Sequence, residues 1–288
     1  MFIVTDTAAD LSPQEVAEWG VHVIPLLIQF PDGEVSSSEI TPDAFYDRLR
    51  SMVPTVPTTS QPSPEKFMTI YKQAREAGEE ALSIHISSGL SGTYNAAALA
   101  ARQVDEAHVT VWDSQTLSPG LRFQVWAAVM AARAGWSKDR IVERLTAIRA
   151  ATEAVFTLDT LDYLARGGRI GRVQALAGSI LHIKPVIKVD KHDGKYGTIG
   201  RGRTIDQSIK SIVNYLNGVY GSQPVWATVI HGQFAEKAET LTAALQAQLN
   251  IGKMDSLRIS PALGVHTGPG VVGVGMMPLH LIEDLQTA

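Results

Sequence analysis

Two hydroxyl-rich turns, a knot of arginines and a glycine-flanked histidine are where this sequence could do chemistry. Thr58-Thr59-Ser60-Gln61-Pro62-Ser63 holds four hydroxyls and an amide in six residues, of which only Ser63 is needed to cap a following helix. The rest fit a solvated loop as well as a set of short donors turned toward an anion. Ile86-Ser87-Ser88-Gly89-Leu90-Ser91-Gly92-Thr93-Tyr94 leaves an apolar run and enters the Ala-rich stretch Asn95–Ala101. A strand that ends in such a loop and feeds a helix exposes unpaired backbone N–H groups and the positive end of a helix dipole, a natural seat for an anion. Caps and turns also use Ser and Gly.

Two enzymatic readings of that loop fail on spacing. A nucleophile elbow needs Gly-x-Ser-x-Gly, whereas Gly89-Leu90-Ser91-Gly92-Thr93 ends in Thr. A P-loop needs a Lys that is absent here. The glycines of Gly197–Gly202 are wrongly spaced for a dinucleotide fingerprint. Leu158–Arg172 reads as a short helix through Leu161 and Leu164, stopped by Gly167 and Gly168. Arg166 suits its C-terminal dipole; Arg169, beyond the stop, is better matched to a carboxylate or phosphate. Pro261–Gly270 reads as a tight loop that holds His266 either as a buried structural group or as a positioned donor. No histidine pairs with acids at metal spacing, and no metal site is expected.

The elements that must position these groups follow an α/β pattern. Strands are expected at Phe2–Asp6, Ala81–Ser87, Val109–Asp113, Val155–Asp159, Pro185–Val189, Val225–His231 and Val271–Met276. Ser12-Pro13, Thr41-Pro42 and Ser63-Pro64 each open a helix. Longer helices are expected over Leu121–Ala134, Lys138–Arg149, Ile205–Asn217 and Ala235–Gln248. Before about residue 150 strand and helix alternate as in an open parallel sheet; afterwards Lys191–Gly202 reads as a hairpin, which implies mixed or antiparallel pairing. The chain thus divides into an N-terminal α/β lobe, 1–150, and a C-terminal α/β lobe, 151–288, with a cleft between them.

Composition removes other classes. The 288 residues carry 25 Lys+Arg against 29 Asp+Glu, a net charge of −4, unlike a general nucleic-acid binder. Hydrophobic residues are 45%, ample for a packed core, and Cys is absent, so thiolate metal sites and Cys nucleophiles are excluded. Asp6 interrupts the first residues and no apolar stretch is long enough to span a membrane. The expectation is a soluble, cytoplasmic protein without stable membrane insertion.

Taken in order, Val4-Thr5-Asp6 with Ala9-Asp10-Leu11, Thr59-Ser60-Gln61-Pro62-Ser63, Ser87–Tyr94, Gly167-Gly168-Arg169-Ile170, Ile183-Lys184-Pro185 and His266-Thr267-Gly268-Pro269-Gly270 resemble the DegV family of bacterial fatty-acid-binding proteins. The resemblance spans about residues 2–282. It implies two α/β lobes, a parallel and a mixed sheet, that bury a long-chain fatty acid such as palmitate in a tunnel between them. It further implies that Thr59 and Ser91 hold the carboxylate with Ser60 beside them, and that Arg169 and His266 lie near the head group. It implies no cofactor, a role in lipid transport or fatty acid metabolism, and presentation of the acid to a separate fatty acid kinase, on a basic surface near Arg201 and Arg203. Family members often carry Ser where this chain has Gly171, so a head-group contact is expected to be missing.

A fatty acid makes two demands. At ~0.8 kcal/mol per CH₂, some fifteen buried methylenes contribute about 12 kcal/mol before entropy costs. The carboxylate loses water and needs replacement hydrogen bonds, which neutral hydroxyls and backbone N–H groups can supply. Leu90, Leu117, Leu121, Phe156, Leu158, Ile170, Leu176, Ile180 and Ile183 are the expected tunnel walls. The alternative is a serine-dependent hydrolase or acyltransferase with Ser91 as nucleophile and His266 as base. The carrier is preferred, since the elbow is missing and no acid can be assigned to His266.

Overall fold

Hydroxyl caps set the helix starts. Ser12 accepts from the backbone N–H of Glu15 at 3.2 Å while the Glu15 carboxylate takes the Ser12 N–H at 2.8 Å, a complete capping box. Thr41, Ser137 and Thr204 accept comparable bonds from Ala44, Arg140 and Gln207. Ser63 makes no such bond, and its helix begins on Pro64 alone. The computed structural model describes residues 1–53, 55–104, 108–173 and 183–286.

In chain order the first part comprises β1 (Phe2–Asp6), α1 (Pro13–Trp19), β2 (His22–Ile24), β3 (Leu27–Phe30), β4 (Gly33–Ser36), α2 (Pro42–Ser51) and β5 (Thr58–Ser60). Next come α3 (Pro64–Glu76), β6 (Ala81–His85), α4 (Thr93–Val104), β7 (Val109–Asp113), α5 (Pro119–Arg133) and α6 (Lys138–Ala151). Strands β2-β1-β6-β7 form a four-stranded, wholly parallel sheet. A separate three-stranded antiparallel sheet, β4-β3-β5, was not anticipated, and it corrects the reading of Thr58–Ser60 as loop: these residues are a strand paired with Leu27–Gln29.

The rest comprises β8 (Glu153–Leu158), α7 (Asp162–Arg166), β9 (Lys184–Val189), β10 (Tyr196–Gly202), α8 (Ile205–Tyr220), β11 (Val225–His231), α9 (Ala235–Gln248), β12 (Ile251–Arg258), α10 (Pro261–Thr267) and β13 (Val271–Pro278). The six-stranded sheet β10-β9-β8-β13-β11-β12 is antiparallel except for the β11–β12 pair, and β9–β10 is the expected hairpin. Pro261–Thr267, read as a loop, is a helix: Pro261 sits in its first turn and Gly268 ends it.

Helix α5 lies between the two large sheets and touches strands of both. It is buried on nearly every side, from Leu121 and Phe123 to Val129 and Ala131, as a helix enclosed by two layers must be. Its charged Arg122 is held between Glu15 at 2.5 Å and Asp255 at 3.1 Å. Helices α8 and α9 cover the outer face of the mixed sheet through Ile212, Leu216, Leu241 and Leu245; α3 and α4 cover the parallel sheet through Phe67, Tyr71 and Ala97.

Candidate functional site

The hydroxyl turns meet. Gly92 of the second turn has no room for a Cβ because the Gln61 carboxamide of the first occupies that space, so glycine is what allows the two segments to touch. Thr59 lies on β5 with its hydroxyl 2.7 Å from Nε2 of His266, a bond across 207 residues made possible because α10 packs on β3 and β5. Ser91 sits just ahead of α4; its Oγ lies 2.8 Å from Thr93 Oγ1 and accepts the Thr93 N–H at 3.3 Å. Thr59, Ser91, Arg169 and His266 line one small cavity together with Leu26, Leu90 and Tyr196.

Arg169 reaches this cavity by local chemistry. Helix α7 stops where Gly168 takes φ of +70°, and the Arg169 N–H then closes on the Leu164 carbonyl at 3.0 Å. Its Nη1 donates to the Gly167 carbonyl at 2.7 Å and its Nε to the Leu90 carbonyl at 3.4 Å. Gly167 carries no Cβ where one would collide with Nδ1 of His266. Burial, then the positive charge of Arg169, pulls the His266 pKa down to about 4. The imidazole is neutral at pH 7, and Arg169 is the one charged side chain among the residues lining the cavity. Nδ1 of His266 is buried without a partner among the described residues.

Ser60 departs from the expected set. Successive strand residues face opposite ways, and its hydroxyl meets Gln29 Nε2 at 3.2 Å and Glu34 Oε2 at 3.4 Å instead of the cavity. Gly171 adopts φ of +45°, where a serine would be strained, with nothing within contact distance of a Cβ placed there. The serine-hydrolase geometry is also absent from this cavity: His266 bonds Thr59, and Ser91 bonds Thr93.

A second small cavity adjoins the first and shares Tyr196 and Leu263 with it. It runs between α5 and the mixed sheet, walled by Leu117, Phe156, Ile230, Ile259 and Val271, with no charged residue in its lining. Two of the lining hydroxyls are turned to protein partners: Thr267 donates to the Leu263 carbonyl at 3.1 Å and Ser118 to Asp10 at 2.5 Å. Asp10 also accepts the Ser260 N–H at 2.8 Å, tying the N-terminal turn to the starts of α5 and α10. Burial, partly offset by these bonds, pushes its pKa up to about 6.

Of the expected walls, Leu90, Leu117 and Phe156 line the cavities. Leu121, Leu158 and Ile170 pack in the core instead, Ile183 is partly exposed away from both linings, and Leu176 and Ile180 lie outside the described residues. Sequence reasoning missed Tyr196, Leu263, Ile230 and Ile259. Among the described residues no group of three or more metal-ligating side chains gathers, and no helix is long and apolar enough to cross a membrane.

Comparison with known proteins identifies the family. The model of the DegV family of uncharacterised proteins matches residues 1–279. A DegV domain-containing protein of Deinococcus radiodurans is 38% identical over 277 residues, 96% of this chain and 95% of the relative. One from Clostridium perfringens is 34% identical over 276 residues, 95% and 97% of the two chains. Among solved structures, a DegV family protein of Thermus thermophilus, described for its fatty acid binding, superposes with a TM-score of 0.90 at 31% identity, covering 96% of this chain and 99% of that one. A stearic-acid-binding protein of Eubacterium ventriosum superposes at 0.87 with 28% identity over 100% of both chains. The chain belongs to the DegV family.

Proposed function

We propose that this protein binds one long-chain fatty acid non-covalently between its lobes, divided near residues 150 and 151, and carries it without chemistry of its own. The observation that carries the reading is the closeness of two unlike cavities: a polar one lined by Thr59, Ser91, His266 and Arg169, and an uncharged apolar one that shares Tyr196 and Leu263 with it. The carboxylate is held by the hydroxyls of Thr59 and Ser91. Neutral His266 fixes Thr59, and Arg169 supplies the positive field. The tail lies against Leu117, Phe156 and Val271. Relatives of similar fold described as binding fatty acids support the same ligand class. The acid is taken up and delivered in the cytoplasm, as part of fatty acid metabolism, and presented to a separate fatty acid kinase by way of the exposed Arg201 and Arg203.

Mass spectrometry of the purified protein under native and then denaturing conditions tests this. The expected result is a mass increment of one long-chain acid that disappears on denaturation. An acyl adduct retained on Ser91, or ester turnover lost in Ser91→Ala, would replace the carrier with the hydrolase.

A further inference from the structure

The head and tail cavities have two lining residues in common, Tyr196 on β10 and Leu263 on α10. Both border the head cavity and the tail cavity, so a chain that runs from Thr59 and Ser91 into the apolar cavity passes beside them. Both are held firmly. The Tyr196 ring stands edge-on to Phe156, centroids 5.3 Å apart at 75°. Its carbonyl accepts from Arg172 Nε at 3.4 Å, and its backbone pairs with Val189. Leu263 is 6% exposed within α10, whose start is pinned by Asp10 and whose end closes on Gly268. One wall of this passage is thus a sheet residue locked by an aromatic neighbour, the other a helix residue locked at both helix ends.

We propose that Tyr196 and Leu263 form a neck that decides which fatty acids the protein accepts, favouring a straight, unbranched, saturated chain over one with a branch or a cis bend at that depth. The inference deepens the fatty-acid reading and rests on it. An extended methylene chain presents the same slim cross-section along its whole length. A methyl branch or a cis double bond widens or redirects it, and a close-packed wall built from two fixed elements yields poorly. One methylene of misfit in an apolar site changes preference about 10–200-fold. The Tyr196 hydroxyl is not the discriminating part, because width at the neck comes from the ring; Tyr196→Phe keeps the ring and removes only the oxygen.

The test is a competition. Delipidated wild type, Leu263→Ala, Tyr196→Ala and Tyr196→Phe are each offered an equimolar mixture of palmitic acid, a mid-chain methyl-branched hexadecanoic acid and a set of cis-hexadecenoic acids differing in double-bond position. Bound acids are then extracted and quantified, with circular dichroism to confirm folding. Wild type and Tyr196→Phe are expected to favour palmitic acid over the branched acid, and over the cis isomers bent at the neck, by at least about tenfold. Leu263→Ala or Tyr196→Ala should reduce the preference to within about threefold. If either alanine variant fails to fold, Leu263→Val serves and should show an intermediate ratio. Equal uptake of all acids by wild type, or an unchanged ratio in a folded alanine variant, overturns the neck and leaves fatty-acid binding standing. No uptake of any acid by wild type overturns the binding reading itself.

Discussion

Two histidines in this molecule each share a short hydrogen bond with a hydroxyl, and they do opposite things. His85 lies 2.6 Å from Ser83 Oγ and 3.0 Å from Asp6 Oδ2, and Tyr71 donates to Ser83 at 2.7 Å. His266 lies 2.7 Å from Thr59 Oγ1 with no partner on its other nitrogen among the described residues. The first set has the members of a Ser-His-Asp triad, yet Asp6, Ser83 and His85 are all 0% exposed. One run of donors satisfies them: Tyr71 to Ser83, Ser83 to His85, His85 to Asp6. Asp6 also takes the Ala8 and Ile86 N–H groups at 2.9 and 3.0 Å, clamping the ends of β1 and β6 and the turns that follow them. A complete relay sealed from substrate is a structural fastening. The open pair lines a cavity, where the Thr59 hydroxyl can turn to a ligand. Triad composition is therefore a poor guide here, and access decides.

The strongest way to break the comparison is to cut the sealed relay. Asp6→Ala strands three buried donors at once. Unfolding by urea should show a loss of about 4 kcal/mol, and a loss below about 1 kcal/mol would mean that the relay fastens little. The open pair should behave in reverse. Thr59→Ala with Ser91→Ala is expected to keep the midpoint of unfolding nearly unchanged yet weaken palmitate binding on the order of a hundredfold, at ~1–3 kcal/mol per lost donor. Calorimetric titration of delipidated protein reads this directly, and unchanged affinity would place the carboxylate elsewhere.

Acid should expose a third difference. His266, with its pKa lowered to about 4, stays neutral in the folded state while the unfolded chain takes up a proton below about 6.5, so stability falls as pH drops between those values. Asp10, with its pKa raised to about 6, works the other way: its contribution is present at low pH and is lost as pH rises from about 4 to 6. The two oppose each other over that range. Asp10→Asn should steepen the rise of stability with pH there by up to about 1.4 kcal/mol per pH unit. A slope identical to wild type in urea melts at pH 4.5, 5 and 5.5 would contradict it. The smallest effect belongs to Ser60→Ala, whose hydroxyl faces Gln29 and Glu34: palmitate affinity should stay within about 0.5 kcal/mol of wild type.

What could be read from sequence was what local chemistry controls. The capping box at Ser12, the helix stop at Gly167 and Gly168, and the strand Val109–Asp113 depend on neighbours in the chain, and each appears where residue type placed it. Thr58–Ser60 did not read as a strand because three polar residues show no alternation; their pairing with Leu27–Gln29 comes from a distant partner. In Pro261–Gly270 the abundance of Gly and Pro outweighed a helix-start proline and a helix-stop glycine that were both in view. The tail walls were least legible: Ile230 and Ile259 are as apolar as any core residue, and nothing in their type distinguishes lining a void from filling one. Tyr196 sits in a glycine-rich hairpin that was legible for its strand pairing and as a failed nucleotide motif, neither of which marks a cavity wall.

A crystal structure of the protein loaded with palmitate shows most directly whether one chain is anchored between Thr59 and Ser91 and threaded past Tyr196 and Leu263. The expected result is unbroken density from the Thr59 and Ser91 hydroxyls, past the Tyr196 ring and Leu263, to the face of Phe156. A carboxylate resting away from both hydroxyls, or an interior filled by side chains with the lipid on the surface, would contradict it.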